Sequence, residues 1–283
     1  MERSFFAGGE ALLRAFGRLA DRAGEIDVVH AHAYDWPAFA FAELLPAPVL
    51  HTVHLQAIVP SITELLRSIF SGRRHAWYAT VSRTCAATYP PPVAFDRVVY
   101  NGIRIEDVPF GAQGRGYLLF VGRIAPEKGL ADAIEVARRL GRPLQVAGGI
   151  YDRDYYDRVL APHLTTPWLR YHGAVERSRL YELMAGADAL LMPVQWDEAL
   201  GMVTIEAQAA GTPVVAYRRG GLVEVVNDGE TGRLAMDLDG LVNATEEATQ
   251  LNRAACRENV AARFTLDRMV DEYERLYREL LLP

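Results

Sequence analysis

Ten short apolar runs, separated by segments with helical spacing, constrain the fold of this chain more than any single motif. "DVVHAH" (27–32), "PVLHTV" (48–53), "WYATV" (77–81) and "RVVY" (97–100) read as strands, with helical stretches over 34–45, 60–70 and 82–89. A second series follows: "YLLFV" (117–121), "LQVAG" (144–148), "WLRYHG" (168–173), "DALLMPV" (188–194), "PVVAY" (213–217) and "TGRLA" (231–235). Helices fit between these runs over 129–140, 152–160, 177–185, 202–210 and 220–226. Such alternation builds parallel sheets covered by helices on both faces. The glycine-rich "FGAQGRG" (110–116) divides the two series, so an α/β chain of two doubly wound domains is expected, over 1–112 and 113–264. From about 237 to 282 the pattern is helical throughout. Thr265 is a candidate N-cap for a last helix, 265–283, whose "MVDEYERLYRELLL" carries an apolar stripe.

Length and composition agree with two soluble cores. A chain of 283 residues, half of them hydrophobic and 23% charged, can bury one in each domain. The net charge of −6, with acids and arginines interspersed, excludes a nucleic-acid partner held through phosphate contacts. Runs such as "ADALLMPV" are less than half of a membrane span. The opening "MERSFFAGGEALLRAF" reads as an amphipathic helix, not a signal peptide. Cys85 and Cys256 stand far apart, in no metal or redox spacing. A cytoplasmic protein is the expectation.

In open parallel sheets, ligands bind beyond the carboxyl ends of the strands, in the loops that lead into helices. After "YLLFV" comes "GRIAPEKGL", which puts Arg123 and Lys128 on one such loop beside a helix N-terminus, a candidate diphosphate cradle. Of the 30 basic residues 29 are arginine, and the lone lysine is Lys128; a chain with so little use for lysine keeps it at this loop. After "DALLMPV" comes "QWDEALGM". A helix starting near Gly201 would turn the amides of Gly201, Met202 and Val203 toward a ligand, with glycine permitting close approach. Glu198, just outside that helix, can accept hydrogen bonds from sugar hydroxyls. Glu206 falls on its first turns, where compensation of the helix dipole is the simpler alternative.

His30 and His32 stand two apart on one strand, and His51 and His54 flank the end of another. A zinc site is one reading. With no acidic or cysteine ligand at a fitting spacing, polar lining of a cleft is preferred, with His54 the foremost candidate and no metal expected. "GAQGRG" precedes a strand instead of opening a helix, so it fails the context of a dinucleotide-binding fingerprint.

Together these residues resemble the retaining glycosyltransferases of family 4, which have the GT-B fold: two Rossmann-like domains facing a cleft. The likeness spans 27–282 and is strongest where "LLFVGRIAPEKGL", "YHGAVERSRLYELMAGADALLMP", "WDEALGMVTIEAQAAGTPVVAYRRGG" and "EVVNDGETGRL" follow in order, with Glu198 and Glu206 separated by seven residues. The resemblance implies a glycosyl transferase that moves a sugar from a UDP- or GDP-type sugar nucleotide to an acceptor hydroxyl, with retention and no obligatory metal or other cofactor. It implies that Arg123 and Lys128, with Gly122 beside them, hold the diphosphate. Glu198, followed by Leu200, Gly201, Met202 and Val203, would bind the transferred sugar, and Glu206 the ribose. His54 would face the sugar, Asn101 and Gly102 would form a structural turn, and the last helix would cross back onto the first domain.

Two departures stand out. Ala199 and Leu200 replace the proline and phenylalanine usual after the first glutamate. Before Asp27 there is no strand, only Gly8–Gly9 as an echo of the family's glycine-rich loop, so the first domain is expected to be incomplete. Either the chain is a fragment, or it is a naturally reduced enzyme, or a second copy or partner chain completes the domain. A non-catalytic or partner-dependent sugar-nucleotide-binding subunit and a GT-B sugar-nucleotide epimerase are the alternative readings.

Overall fold

The computed structural model describes residues 2–72 and 74–282, with the backbone alone for 2–10 and Ala23. Two compact units emerge: Met1–Tyr100 with Met269–Pro283, and Asn101–Arg268.

In the first unit the strands are β1 (Val29–Ala31), β2 (Val49–Val53), β3 (Trp77–Thr80) and β4 (Arg97–Val98), all parallel and in the order β1-β2-β3-β4. Its helices are α1 (Glu2–Asp21), α2 (Trp36–Ala42), α3 (Pro60–Ser71) and α4 (Arg83–Ala87). Asp35 starts α2 by accepting from the amide of Trp36 at 2.8 Å, and Ser82 starts α4 by accepting from Cys85 at 2.9 Å. Gly8 and Gly9, read from sequence as the echo of a phosphate loop, lie inside α1. Five consecutive residues of β2 are buried, as expected of a strand covered on both faces. One face meets Phe39, Leu66 and Tyr78.

The second unit holds β5 (Leu118–Val121), α5 (Leu130–Leu140), β6 (Leu144–Ala147), α6 (Arg153–Tyr155), β7 (Leu169–Tyr171), α7 (Arg177–Gly186) and β8 (Ala189–Met192). It continues through α8 (Met202–Ala209), β9 (Val214–Tyr217), α9 (Leu222–Val225), β10 (Gly232–Ala235), α10 (Leu238–Ala248) and α11 (Arg253–Arg263). Its parallel sheet has the order β10-β9-β8-β5-β6-β7. Leu118 pairs with Leu144 on one side and Ala189 on the other, all three fully buried. Truncating such a leucine to alanine costs about 2–5 kcal/mol. The chain winds outward from β5 to β7, then returns to β5's other side to lay down β8, β9 and β10. The winding therefore reverses between β5 and β8, the kind of place at which open parallel sheets bind ligands, beyond the carboxyl ends of the strands.

The sequence pattern predicts one helix over 152–160. Instead α6 is a single turn, 156–160 winds more widely, and Ala161–His163 tightens into a 3₁₀ turn. Pro162 has no amide to continue an i→i−4 ladder, and its ring crowds the carbonyl a turn earlier.

The last helix, α12 (Leu266–Leu280), is started by Thr265, whose hydroxyl accepts from the amide of Arg268 at 3.3 Å. From Met269 onward it belongs to the first unit, where Tyr273 and Leu276 pack with Leu50, Ala79 and Val99.

Candidate functional site

The loops that leave β5 and β8 are tied together backbone to backbone. Gly129, at φ +74°, caps α5, and a Cβ there would sit 1.8 Å from the carbonyl oxygen of Pro193. The amide of Gln195 donates to the carbonyl of Glu127 at 2.8 Å. Gln195 also donates through its side chain to Asp132, which accepts from the Tyr217 hydroxyl as well. No other residue than glycine fits at 129, and the two loops share one rigid frame.

That frame brings Lys128 and Glu198 together. The Lys128 ammonium donates to Oε2 of Glu198 at 2.7 Å, with only 14% and 16% of the two side chains exposed. The indole Nε1 of Trp196 donates to the same oxygen at 3.0 Å, and Lys128 Nζ lies 4.8 Å from the centroid of the Trp196 ring. Arg123 turns elsewhere: it pairs with Glu127 at 3.2 Å and stacks 4.4 Å over Tyr151. The two cations of this loop thus hold separate partners. A depression of about 380 Å³ opens beside Arg123, between Ala125–Glu127 and Tyr151–Asp154. Gly122, bonded through its amide to Ala147, lies against the Lys128 stem, where a Cβ would meet Lys128 Cγ at an ordinary 3.5 Å.

Glu198 is fixed from below as well. The amide of Gly221 donates to the Glu198 carbonyl at 2.6 Å. A Cβ on Gly220, at φ +53°, would fall 2.5 Å from both the amide nitrogen and the carbonyl oxygen of Glu198. Ala199 and Leu200 are buried. Gly201, at φ +89°, precedes α8, so the amides of Met202 and Val203 lie at a helix start, outside its internal ladder.

Glu206 sits in the second turn of α8, and burial raises its carboxyl above the ordinary range, against the pull of Arg177 and of the Tyr181 hydroxyl at 3.4 Å. Burial is the larger influence on this carboxyl, and Glu206 stands past the first turn of α8, where a helix dipole acts most strongly. The residue lines a cavity of about 360 Å³ with Met202, Tyr181, Arg177, Asp107 and Arg104. Asn101 and Gly102 stand near its rim: Gly102 lines it, and a Cβ there would collide with the carbonyl of Thr265 at 2.1 Å. Trp196, Tyr181 and the Gly220–Gly221 pair escape a reading of the sequence. Only the glycines carried a signal, standing together just after a buried strand.

His54 belongs to the first unit. Its Nε2 shares a hydrogen bond with Nδ1 of His32 at 2.8 Å, and burial, helped by the nearby His32, lowers its pKa to about 4. His30 joins the Thr52 and Tyr277 hydroxyls at 2.7 and 2.6 Å, and burial with its histidine neighbours takes its pKa to about 3. His51 donates through Nε2 to the Ala33 carbonyl at 2.8 Å, which fixes its tautomer, and burial lowers its pKa to about 4. All three rings are neutral at pH 7. Among the described residues, no three His, Cys, Asp or Glu side chains come together as a metal site. No described helix is long and apolar enough to cross a membrane.

The chain is similar to known proteins. The model of the family "Glycosyl transferases group 1" matches residues 105–259, which include both loops and Glu206. The chain is 34% identical to the glycogen synthase of Mycobacterium tuberculosis, over 91% of this chain and 69% of that one. Among solved structures, sucrose-phosphate synthase from Thermosynechococcus elongatus superposes with a TM-score of 0.80 at 20% identity, covering 96% of this chain and 78% of that one. HepE of Anabaena, solved with UDP and glucose, gives 0.76 at 18% identity, covering 92% and 80%. These two likenesses concern the fold: two parallel-sheet, Rossmann-like domains of the GT-B type. With the family model and the glycogen synthase alongside them, the chain belongs to the group 1 glycosyl transferases.

Proposed function

We propose that the chain is a retaining, family 4 enzyme that moves a sugar from a UDP- or GDP-type sugar nucleotide to an acceptor hydroxyl without an obligatory metal ion. The observation that carries this reading is the covered Lys128–Glu198 pair at the point where the sheet's winding reverses. A diphosphate bound there draws Lys128 to itself, and Arg123, 48% exposed and on the same loop, can swing to join it. The carboxylate of Glu198 then accepts from the sugar's hydroxyls, near the amides of Gly201, Met202 and Val203. The buried carboxylate of Glu206 accepts from the ribose in the cavity beside it. Related structures support a UDP-linked donor, since HepE was solved with UDP-glucose as well as with UDP.

In the step itself, the acceptor oxygen bonds to the anomeric carbon as the bond from that carbon to the diphosphate oxygen breaks. Attack on the face that the nucleotide leaves retains the configuration and sets the acceptor proton beside the departing phosphate oxygen, which takes it. No protein nucleophile is needed. Charge developing on the diphosphate meets Lys128 and Arg123, and well-placed donors of this kind lower a barrier by about 3–4 kcal/mol each. His54, neutral at physiological pH, is proposed as a hydrogen-bonding partner for the transferred sugar. By the same reading, 113–264 is the nucleotide-sugar-binding domain and 1–112 the acceptor-side domain.

Calorimetric titration with UDP, GDP and ADP, on the wild type and on Lys128→Ala, tests the site. Tight binding of one nucleotide, weakened about tenfold or more in the variant, supports it. Equal binding to both proteins would place the nucleotide elsewhere and end this assignment.

A further inference from the structure

We infer that Trp196 is a positioning residue: its indole N–H keeps the Glu198 carboxylate in place when Lys128 leaves it for the donor's diphosphate. The inference rests on the reading of Lys128 and Glu198 given above.

Lys128 Nζ and Trp196 Nε1 converge on one atom, Oε2 of Glu198, at 2.7 and 3.0 Å, while the ammonium rests 4.8 Å from the indole centroid. Each of the three side chains therefore touches the other two. Their freedoms differ. Lysine is a charged head on four rotatable bonds, and a diphosphate competes with the carboxylate for it. The indole is donor-only and rigid beyond two torsions. Its backbone is held on both sides, by Gln195 bonded to Glu127 and Asp132 and by Gly221 bonded to the Glu198 carbonyl.

When the ammonium moves to a phosphate, a largely covered carboxylate loses its cation. The neutral indole N–H stays and holds Oε2, which leaves the other oxygen to accept from a sugar hydroxyl. The face of the ring also gives the ammonium a second resting place, so its route to the diphosphate runs along an aromatic surface. Trp196 thus acts on recognition of the sugar, while the diphosphate is gripped without it.

The test is calorimetry with nucleotide and sugar-nucleotide pairs: UDP and UDP-glucose, then GDP and GDP-mannose, then ADP and ADP-glucose. The proteins are the wild type, Lys128→Ala, Glu198→Gln and Trp196→Phe, the last keeping the ring and losing the N–H. Trp196→Phe should leave the nucleotide within about twofold and weaken the sugar nucleotide about tenfold, as Glu198→Gln does, whereas Lys128→Ala should weaken both ligands. A Trp196→Phe protein that keeps full sugar-nucleotide affinity where Glu198→Gln loses it overturns the proposal alone. Nucleotide affinity untouched by Lys128→Ala, or no binding of any pair, overturns the site reading and the proposal with it. A spectroscopic measurement adds a readout that a purely structural role would not move. The indole resonance of Trp196, one of four in the chain and assigned by its absence in Trp196→Phe, should stay slow to exchange with solvent at saturating nucleotide. Rapid exchange on binding would show that the N–H lets go, and would refute the proposal.

Discussion

The ammonium of Lys128 lies 2.7 Å from the carboxylate of Glu198, and neither side chain is more than 16% exposed. Pairs so covered are coupled, because removing one member strands the other in a poorly solvated place. Lys128→Met and Glu198→Gln should each lower stability by about 1–3 kcal/mol. The double variant should lose less than the sum. Thermal unfolding of all four proteins measures this, and strict additivity would show that the two groups do not depend on each other.

Gly220 should matter more to ligand binding than its own exposure suggests. At φ +53° a Cβ would press within 2.5 Å of the Glu198 backbone, so Gly220→Ala should displace Glu198 and weaken the sugar nucleotide about tenfold or more. Gly141 is the control. It too is left-handed, at φ +61°, but a Cβ there meets nothing within 4 Å. Gly141→Ala should cost about 1–2 kcal/mol of stability from backbone strain and leave binding unchanged.

In the role proposed for it, Glu206 must be ionised to accept two hydroxyls of a ribose. Because burial raises its carboxyl, nucleotide affinity should begin to fall on acidification before ordinary carboxylates titrate. The fall should be absent in Glu206→Gln, which starts weaker. In Tyr181→Phe, which removes one of the lowering influences, it should set in at higher pH. A titration of affinity between pH 4 and 8 decides the matter; the same profile in wild type and Glu206→Gln would assign the fall to another group.

The first unit should be acid-sensitive. His30, His51 and His54 have pKa values of about 3, 4 and 4, against an ordinary 6.5, with burial the first cause at each. The unfolded chain therefore takes up protons first as pH falls. These residues leave stability unaffected above about pH 7. They should reduce it from about 6.5 downward, His51 and His54 until about pH 4 and His30 until about pH 3, and no further once the folded rings are also protonated. Thermal unfolding across that range, compared with His54→Gln, tests it. The variant should show the shallower loss; an identical slope would mean that the histidines are not responsible.

How far sequence leads depends on how many residues share the task. Strands such as Leu118–Val121 and Val49–Val53 are buried along their whole length, so their apolar runs announce them, and the helices between them follow. Lys128 stands out because the chain uses no other lysine. What stays hidden hangs on single residues. Pro162 breaks a helix that the pattern on either side would continue. Trp196 and Tyr181 belong to no periodicity, and only folding brings them to Glu198 and Glu206. Glu206 itself reads as a helix-start acid until its burial is known. Gly220 looks like turn punctuation until Glu198 is found against it.

The division of the chain also sets an order of assembly. The unit over Asn101–Arg268 is one continuous stretch, whereas the other needs Met269–Pro283 to finish a core begun within its first hundred residues. On a ribosome, α12 is made after both sheets. Leu50 and Ala79 must wait, without Tyr273 and Leu276 to cover them, while the Asn101–Arg268 unit is translated. For that interval the nascent chain carries a bare apolar face, and it is the arrival of α12 that seals it.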